Sequence, residues 1–334
     1  MKNFIDDKGT FQINIPNTWK YNLETSQGEN VHAFSEYRIW KSDIFQLSII
    51  AFEDDSSKYF FQNRIENLPI IRIGEFDFSV IPETHDDNYT FSSWVRLVDN
   101  KRIMFSLNYL NNPDDELDNL TTKERIERAY AIIKTFRLID ENVSKSVINS
   151  YRFGMFMQGF EAAALMLNNS LKNKAFIEAT CLFANQIDGL LRIGIILKHQ
   201  LNNKSNEIPI EWIYQGHKDR KRSEKDIYKK ALDMHIIEKD VHENLCSLYS
   251  NRNRVMHRFI ISEITLAEVE EIAYCYSEKA QKINRIIYDL ESEQISQNVG
   301  MTTVDLKGGS VNNGIDFIKG KIGLVDYFEG HESI

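Results

Sequence analysis

The chain has 334 residues, of which 42% are hydrophobic and 27% are charged, proportions typical of a soluble globular protein. One hydrophobic core seldom serves a chain this long, so two domains are expected. No apolar run approaches the ~20 residues of a membrane span, and the opening "MKNFIDDKGTF" lacks the apolar stretch of a signal peptide. We therefore expect a cytoplasmic protein that does not bind a membrane.

The net charge of −9 argues against a protein that coats nucleic acid nonspecifically. The charge is uneven, because residues 1–140 carry 16 basic and 23 acidic residues (−7), whereas residues 141–334 carry 24 and 26 (−2). The basic run "HKDRKRSEKDIYKK" at 217–230 makes the second half the better candidate for contact with a polyanion. A solvated helix face is the alternative interpretation of such a run.

The three cysteines, Cys181, Cys246 and Cys275, are an odd number, are widely spread, and each lies in an apolar, helix-like context. This pattern predicts reduced core residues in a cytoplasmic protein. No Cys-x-x-Cys pair and no cluster of His and Cys indicates a zinc site, so no metal or other cofactor is expected.

Residues 1–140 favour an α+β domain with an antiparallel sheet. In "FQINIP", Phe11, Ile13 and Ile15 alternate inward, the pattern of a half-buried strand, and "FQLSIIAF" at 45–52 predicts a more buried one. The segments "FSSWVRLV" and "IMFSLNYL" flank "DNK", whose Asp-Asn pair suits the positive-φ positions of a hairpin turn.

A helix, "KERIERAYAIIKTF", follows and covers this sheet. Thr121 or Thr122 is expected to cap it, and its apolar residues lie on one stripe: Ile126, Ala129, Tyr130 and Ile133. The opening "GTFQINIPNTWKY" and the closing "AYAIIKTFRLI" resemble small PsbP-like α+β domains. That resemblance implies a fold only; domains of this kind usually bind partners and do no chemistry. Trp19 and Trp94 are expected in the core.

Residues 145–295 change to helical periodicity and predict an all-α bundle of four or five antiparallel helices. The last helix is expected to begin after a Thr265 cap, with Glu268 three residues further on. Residues 296–334 shift again, since seven of the 15 glycines lie from Gly300 onward. They predict a loosely structured glycine-rich tail.

One short motif in the bundle points to chemistry. In "SNRNRVMHRF", Arg252 lies five residues and Asn253 four residues before His257, inside the penultimate helix. The helical order and this Arg-x4-His motif resemble the HEPN superfamily over residues 145–295. The resemblance implies a ribonuclease whose active cleft forms across a dimer, with Arg252, Asn253 and His257 as the catalytic residues.

The residue types themselves suit RNA cleavage. The ribose 2′-OH needs only a base to attack the adjacent phosphorus, and His257 exchanges a proton near neutral pH. Arg252 offers a permanent charge and forked donors to the phosphate, and Asn253 orients either His257 or the scissile phosphate. The expected products are a 2′,3′-cyclic phosphate (or a 3′-phosphate) and a 5′-hydroxyl, formed without a metal.

One histidine does not readily act as base and acid on opposite sides of a phosphate, so a homodimer that brings two copies together is part of the hypothesis. Six further cations are expected to hold flanking RNA phosphates: Arg254, Arg258, Lys218, Arg220, Lys221 and Arg222. Solubility residues are the alternative interpretation of these cations.

Two functions follow from these patterns. The first is a metal-independent endoribonuclease acting as a toxin or in antiviral defence, with the N-terminal domain binding a protein partner or inhibitor. The second is a non-catalytic interaction protein in which Arg252 and His257 are structural. Phe259 occupies the place where some HEPN toxins carry a modified Tyr, so that kind of control is not expected.

Overall fold

A computed structural model describes residues 1–26, 29–36, 43–110, 120–215 and 222–303. The chain divides into two compact units, with the border between Lys145 and Ser146. An antiparallel sheet region comes first and a helical region follows, as the sequence predicts. The basic residues 218, 220 and 221 lie outside the described part of the chain.

In its described residues, unit 1 holds two antiparallel sheets and two helices. The smaller sheet has the order β1-β2-β10 and the larger has the order β3-β4-β5-β9-β8-β7-β6. The strands are β1 (Lys2–Ile5), β2 (Phe11–Ile15), β3 (Trp19–Ser26), β4 (Glu29–Glu36), β5 (Ile44–Ala51), β6 (Ile70–Ile73), β7 (Phe76–His85), β8 (Tyr89–Val98), β9 (Lys101–Leu110) and β10 (Arg137–Leu138). The helices are α1 (Asp55–Ile65) and α2 (Thr122–Ile133).

The strands predicted from alternation form the core of this unit. Phe11, Ile13 and Ile15 of β2 are completely buried, and Trp19 and Trp94 are each 2% exposed, so both tryptophans are core residues as predicted. The β8–β9 hairpin turns at Asp99, which has a φ of 52°, because Asp tolerates the left-handed conformation that a tight turn needs.

Helix α2 begins at a capping box. The Thr121 side chain accepts from the Glu124 N–H, and Glu124 accepts from the Thr121 N–H at 2.7 Å. Ala129 and Ile133 of the predicted stripe are buried, and so is Arg125, which the sequence pattern did not predict. Arg125 forms an ion pair with Asp43, and the two side chains are 4% and 8% exposed.

Unit 2 is a helical bundle around one apolar core. Its elements are α3 (Glu141–Lys172), which crosses the border, α4 (Phe176–Asn203), a 3₁₀ turn (Ile210–Trp212), α5 (Glu224–Asp233), α6 (Lys239–Arg258), a 3₁₀ turn (Phe259–Ile261), α7 (Leu266–Gln297) and a 3₁₀ turn (Met301–Thr303). The predicted cap of α7 is present as a capping box between Thr265 and Glu268.

Helix α4 is long and apolar enough to cross a membrane, contrary to our expectation that no segment would be. Its most apolar window is 78% buried inside the structure, the position of the core helix of a bundle. Two close contacts fix this helix among its neighbours. A Cβ on Gly189 would lie 2.5 Å from the Phe160 ring, and one on Gly194 would lie 2.8 Å from Ile287.

Two expectations about the bundle need correction. The predicted tail from 296 to 334 is too long, because α7 runs to Gln297 and a 3₁₀ turn follows it. Buried Gln294 holds that turn, since its side-chain oxygen accepts from Thr302 Oγ1 at 2.6 Å; residues 304–334 lie outside the described chain.

The three thiols are free, but Cys275 is exposed rather than in the core, and Cys181 and Cys246 are half-buried. Cys275 lies on the solvent side of α7. Its neighbours in the sequence are largely apolar, so the sequence alone did not indicate this exposure.

The buried ion pair between Asp43 and Arg125 gives a test of the unit 1 core. Asp43→Ala leaves the guanidinium buried without its partner, which costs about 3–5 kcal/mol of unfolding free energy. Urea unfolding followed by the fluorescence of buried Trp19 and Trp94 measures the loss. Glu127→Ala, which removes the exposed partner of Lys123 on the same helix, should change stability little. Equal effects of the two substitutions would contradict this account.

Candidate functional site

Helix α6 places Arg252 at a core-facing position. Its buried residues follow a helical stripe: Val241, Leu245, Leu248 and Val255. Arg252 falls in this stripe, four residues after Leu248 and three before Val255, so its side chain points into the bundle. The side chain is 20% exposed. A permanent charge at such a position needs a hydrogen-bonding partner.

Glu224, the first residue of α5, is that partner. Arg252 Nη2 donates to Glu224 Oε1 at 2.7 Å, and the Tyr228 hydroxyl donates to Glu224 Oε2 at 3.0 Å. The Arg252 guanidinium also lies 5.0 Å from the centre of the Tyr249 ring. Glu224 is 19% exposed, so the ion pair is largely shielded from water and both side chains are held in place.

The interior around this pair disfavours further negative charge. Burial, followed by the charge of Glu224, raises the pKa of Tyr228, and the same two causes raise the pKa of Tyr276. Burial raises the pKa of the Cys181 thiol, and the Arg252 charge opposes that shift. The Tyr276 hydroxyl and Arg252 Nε are buried without a hydrogen-bond partner within the described chain. Arg252 is therefore the cation around which this interior is organised.

Asn253 and His257 lie on another side of α6. They are four residues apart, so their side chains are neighbours, whereas Arg252 and His257 are separated by ~140° around the helix. His257 is exposed and Asn253 is half-buried, and the structure gives neither side chain a hydrogen bond with a described residue. One chain therefore brings Asn253 and His257 together and directs Arg252 away from them.

The additional cations predicted to bind RNA are scattered. Arg254 and Arg258 are exposed and four residues apart, roughly opposite the core stripe. Hydrogen bonds to Thr265 lower the pKa of Glu268, and the Arg254 charge adds a smaller contribution. Arg254 and Arg258 flank His257 on the side away from Arg252. Arg222 lies just before α5 and stacks on the Trp212 ring at 3.9 Å. Lys218, Arg220 and Lys221 lie outside the described residues.

Four exposed apolar residues lie close to His257 in the sequence. They are Met256, Ile260, Ile261 and Leu266, which are 47%, 94%, 81% and 66% exposed. Ile260 and Ile261 belong to the 3₁₀ turn that ends α6. Consecutive isoleucines with so little cover are unusual on a soluble surface, and such a patch commonly marks an interface. We call these four residues the α6-end patch.

Unit 1 contains a cavity of about 470 Å³ between α1 and the sheet. Lys58, Gln62 and Ile65 of α1 and residues of β6, β7 and β8 line it. Helix α1 has no buried residue, and its Tyr59 and Phe60 are 67% and 71% exposed. No group of three or more His, Cys, Asp or Glu residues in the described ranges is arranged to hold a metal ion.

No protein-family model and no curated protein matches the chain. Among solved structures it is similar to cyanobacterial PsbP (CyanoP) from Synechocystis sp. PCC 6803, determined in solution. The two chains are 11% identical, with 41% of this chain and 92% of that chain covered and a TM-score of 0.25. A TM-score this low indicates a weak structural similarity and supports no conclusion about function. What is established for unit 1 is its antiparallel sheet.

Glu224 and Tyr228 are the members of this site that sequence reasoning missed. Glu224 lies in the basic run 217–230, where it is one of three acidic residues among seven Lys and Arg residues. Nothing in that run marks it as the partner of an arginine. The signal was local, since Ser223 and Asp226 form a capping box that places Glu224 in the first turn of α5. The pairing of that turn with α6 depends on tertiary packing.

The Tyr228 hydroxyl predicts a pH dependence of stability. An unfolded Tyr ionises near pH ~10, whereas burial beside Glu224 keeps Tyr228 protonated in the folded state. Its contribution is therefore complete below pH ~10 and is lost as the pH rises above it, by about 1.4 kcal/mol per pH unit. Tyr228→Phe should reduce that slope in urea unfolding followed by helical circular dichroism. The matched control is Tyr288→Phe at a site that is 68% exposed, and an equal reduction there would contradict the assignment.

Proposed function

We propose that this protein is a metal-independent endoribonuclease that works as a homodimer. The observation that carries the proposal is that His257 and Asn253 stand side by side on α6, accessible and without partners in the described chain. A solvent-accessible histidine with no structural bond to satisfy is free to exchange a proton with a substrate. The sequence resemblance to HEPN ribonucleases supports the same function.

The proposed reaction needs only the groups of the protein and the RNA. His257 of one copy accepts the proton of the ribose 2′-OH, and the 2′-oxygen attacks the adjacent phosphorus. The bond from phosphorus to the 5′-oxygen breaks, and that oxygen takes a proton from His257 of the second copy. The products are a 2′,3′-cyclic phosphate and a 5′-hydroxyl. Asn253 orients His257 or the phosphate by hydrogen bonds.

Arg252 would act on the phosphate from a fixed position. Its pairing with Glu224 engages Nη2, whereas Nη1 has no partner within the described chain. A guanidinium held by a carboxylate and an aromatic ring loses little freedom when it binds a phosphate. The negative charge of Glu224 also offsets the positive charge of Arg252 at longer range. Arg252 therefore supplies directed hydrogen bonds more than long-range attraction.

The α6-end patch supports the dimer. Ile260 and Ile261 lie three and four residues after His257, so a second copy seated on them would bring two His257 side chains to one cleft. The separation of ~140° between Arg252 and His257 within one helix also favours a site assembled from two copies. An isologous contact between identical apolar patches satisfies both requirements.

A non-catalytic interaction protein is the second candidate, and Arg252 favours it. The arginine occupies a core-facing position and pairs with Glu224, which is what a structural arginine does. In that case the α6-end patch and the cations near Arg222 would bind partners without cutting RNA.

A role as a toxin or antiviral effector belongs to the proposal and follows from uncontrolled RNA cleavage being harmful to a cell. Unit 1 would then bind a protein partner or inhibitor that restrains the nuclease. Its exposed aromatic pair, Tyr59 and Phe60, and the adjacent cavity supply surface for such a contact.

Cleavage of RNA in EDTA tests the enzyme. The wild type should release fragments with cyclic phosphate ends from a mixed RNA pool, and His257→Ala should lower the rate by about 100-fold or more. His242→Ala is the matched control, because it removes a half-buried His from the same helix and should retain the rate. Mapping of the fragment ends identifies the chemistry. Cleavage that requires added metal, or equal rates for both variants, would contradict the mechanism.

The dimer has its own test. Ile260→Asp combined with Ile261→Asp places two charges in the α6-end patch and should yield monomers without cleavage activity, because buried charges oppose association. Sedimentation measures the mass, and circular dichroism checks that the helices remain. Tyr288→Asp changes an exposed apolar residue 22 positions after Leu266, ~33 Å along α7, and should leave dimer and activity intact. An active monomer would remove the shared cleft from the proposal.

A further inference from the structure

Two aromatic rings between α4 and α5 gather cations from distant parts of unit 2. Arg222 lies 3.9 Å and Lys230 lies 5.4 Å from the centre of the Trp212 ring. Arg152 of α3 lies 4.0 Å from the centre of the Tyr214 ring. Trp212 and Tyr214 are two residues apart, so their Cα atoms are separated by at most ~7 Å. We call these five residues the Trp212 platform.

Two cations of this platform, Arg222 and Lys230, are held differently from several arginines elsewhere in the protein. Four other arginines pair with carboxylates, namely Arg102 with Glu29, Arg125 with Asp43, Arg192 with Asp188 and Arg252 with Glu224. Arg222 and Lys230 form no ion pair in the described part of the chain and rest on an aromatic ring instead. A cation held by an aromatic ring keeps its charge and remains available to a polyanion.

The acids near the platform are mostly occupied. Glu224 pairs with Arg252, and Asp226 accepts from Ser223 in the capping box of α5. Glu211 is exposed and contributes its carbonyl oxygen to Arg222 Nη1. Neither Arg222 nor Lys230 forms an ion pair with these carboxylates within the described residues.

The geometry of the platform is fixed before any ligand arrives. Arg222 is held by the ring on one side and by the Glu211 carbonyl at its edge. Arg192 Nη1 donates to the Trp212 carbonyl, and Asp188 in turn holds Arg192 at 2.6 Å. The Trp212 ring itself packs against the bundle core. A ligand would therefore meet a flat guanidinium that loses little conformational entropy on binding, because it is already held in place.

We propose that the Trp212 platform binds single-stranded RNA, with a base stacked on the outer face of Arg222 and phosphates beside Arg222 and Lys230. A flat cation on an aromatic ring suits both parts of a nucleotide, since bases stack on guanidinium planes and phosphates accept from their edges. An acidic peptide offers the charge but no planar rings, so the stacked geometry favours RNA.

The position of the platform relates it to the proposed nuclease site. Arg222 lies two residues before Glu224, so the Cα atoms of Arg222 and Glu224 are within ~7 Å of each other. Glu224 in turn accepts a hydrogen bond from Arg252. A strand that leaves Arg222 therefore reaches the Arg252 region within a few nucleotides. This inference rests on the proposed function for the role of that neighbouring site, but binding is measured separately from cleavage.

Binding is tested in full-length His257→Ala protein, so that cleavage does not consume the probe. The probe is a fluorescein-labelled single-stranded RNA of about 12 nucleotides, and anisotropy is read in EDTA between about 50 and 200 mM salt. Arg222→Ala with Lys230→Ala should weaken binding about tenfold or more. It should also reduce the slope of log affinity against log salt by roughly 1.4, about 0.7 for each lost contact with a single strand.

Two variants separate binding from folding. Arg222→Lys keeps the charge and loses the flat stack, so it should weaken binding about threefold while leaving the salt slope unchanged. Lys229→Ala removes the neighbouring lysine of α5, which pairs with Asp233 at 2.7 Å, and should bind RNA as the parent does. Circular dichroism checks that each variant retains its helices.

The outcomes distinguish this inference from the proposed function. If RNA binding depends on the platform but the wild type cuts no RNA, the proposed binding site is supported and the proposed nuclease activity is rejected. RNA cleavage by the wild type with binding unchanged by Arg222→Ala and Lys230→Ala overturns the platform and leaves the nuclease. No RNA binding at all overturns the platform, and so does a poly-glutamate peptide of equal charge that competes as well as unlabelled RNA.

Discussion

A charged residue in the apolar stripe of α6 is the constraint on which the rest of unit 2 depends. Arg252 follows Leu248 and precedes Val255, so packing α6 against the bundle turns the guanidinium inward. An unpaired charge there would cost several kcal/mol. The first turn of α5 meets this requirement with Glu224, and Tyr228 supplies the second bond to that carboxylate. The positions of α5 and α6 are thereby tied together.

The same constraint shapes what the candidate site does. The pairing fixes Arg252 but reduces its free charge, and helical geometry sends His257 to a different side of α6. A single copy thus separates Arg252, the proposed phosphate-binding group, from His257, the proposed proton-transfer group. In the proposed homodimer, a second copy seated on the exposed isoleucines that follow His257 would restore their proximity. The proposed chemistry and the proposed assembly are for this reason one hypothesis.

Charge is distributed differently in the two halves of the chain. Residues 1–140 carry a net −7 and bury an Arg–Asp pair inside the sheet unit, where the charges serve stability. In unit 2, the cations around Trp212 are held by rings and carbonyl groups, which fix their positions without cancelling their charge. Stacking on an aromatic ring is a means of orienting a cation while leaving it available to a polyanion. The resulting positive surface lies beside Glu224, the partner of Arg252.

The sequence by itself determined the local structure. Alternation at Phe11, Ile13 and Ile15, the Asp99 turn and the Thr121 and Thr265 caps all follow from interactions between residues close in the chain. Tertiary structure alone decided the partners of Arg252 and Arg125, because Glu224 and Asp43 lie 28 and 82 residues away and no short-range pattern encodes such pairings. It also decided that α4 is a buried core helix and that Cys275 is exposed, because burial depends on which neighbours a helix face meets.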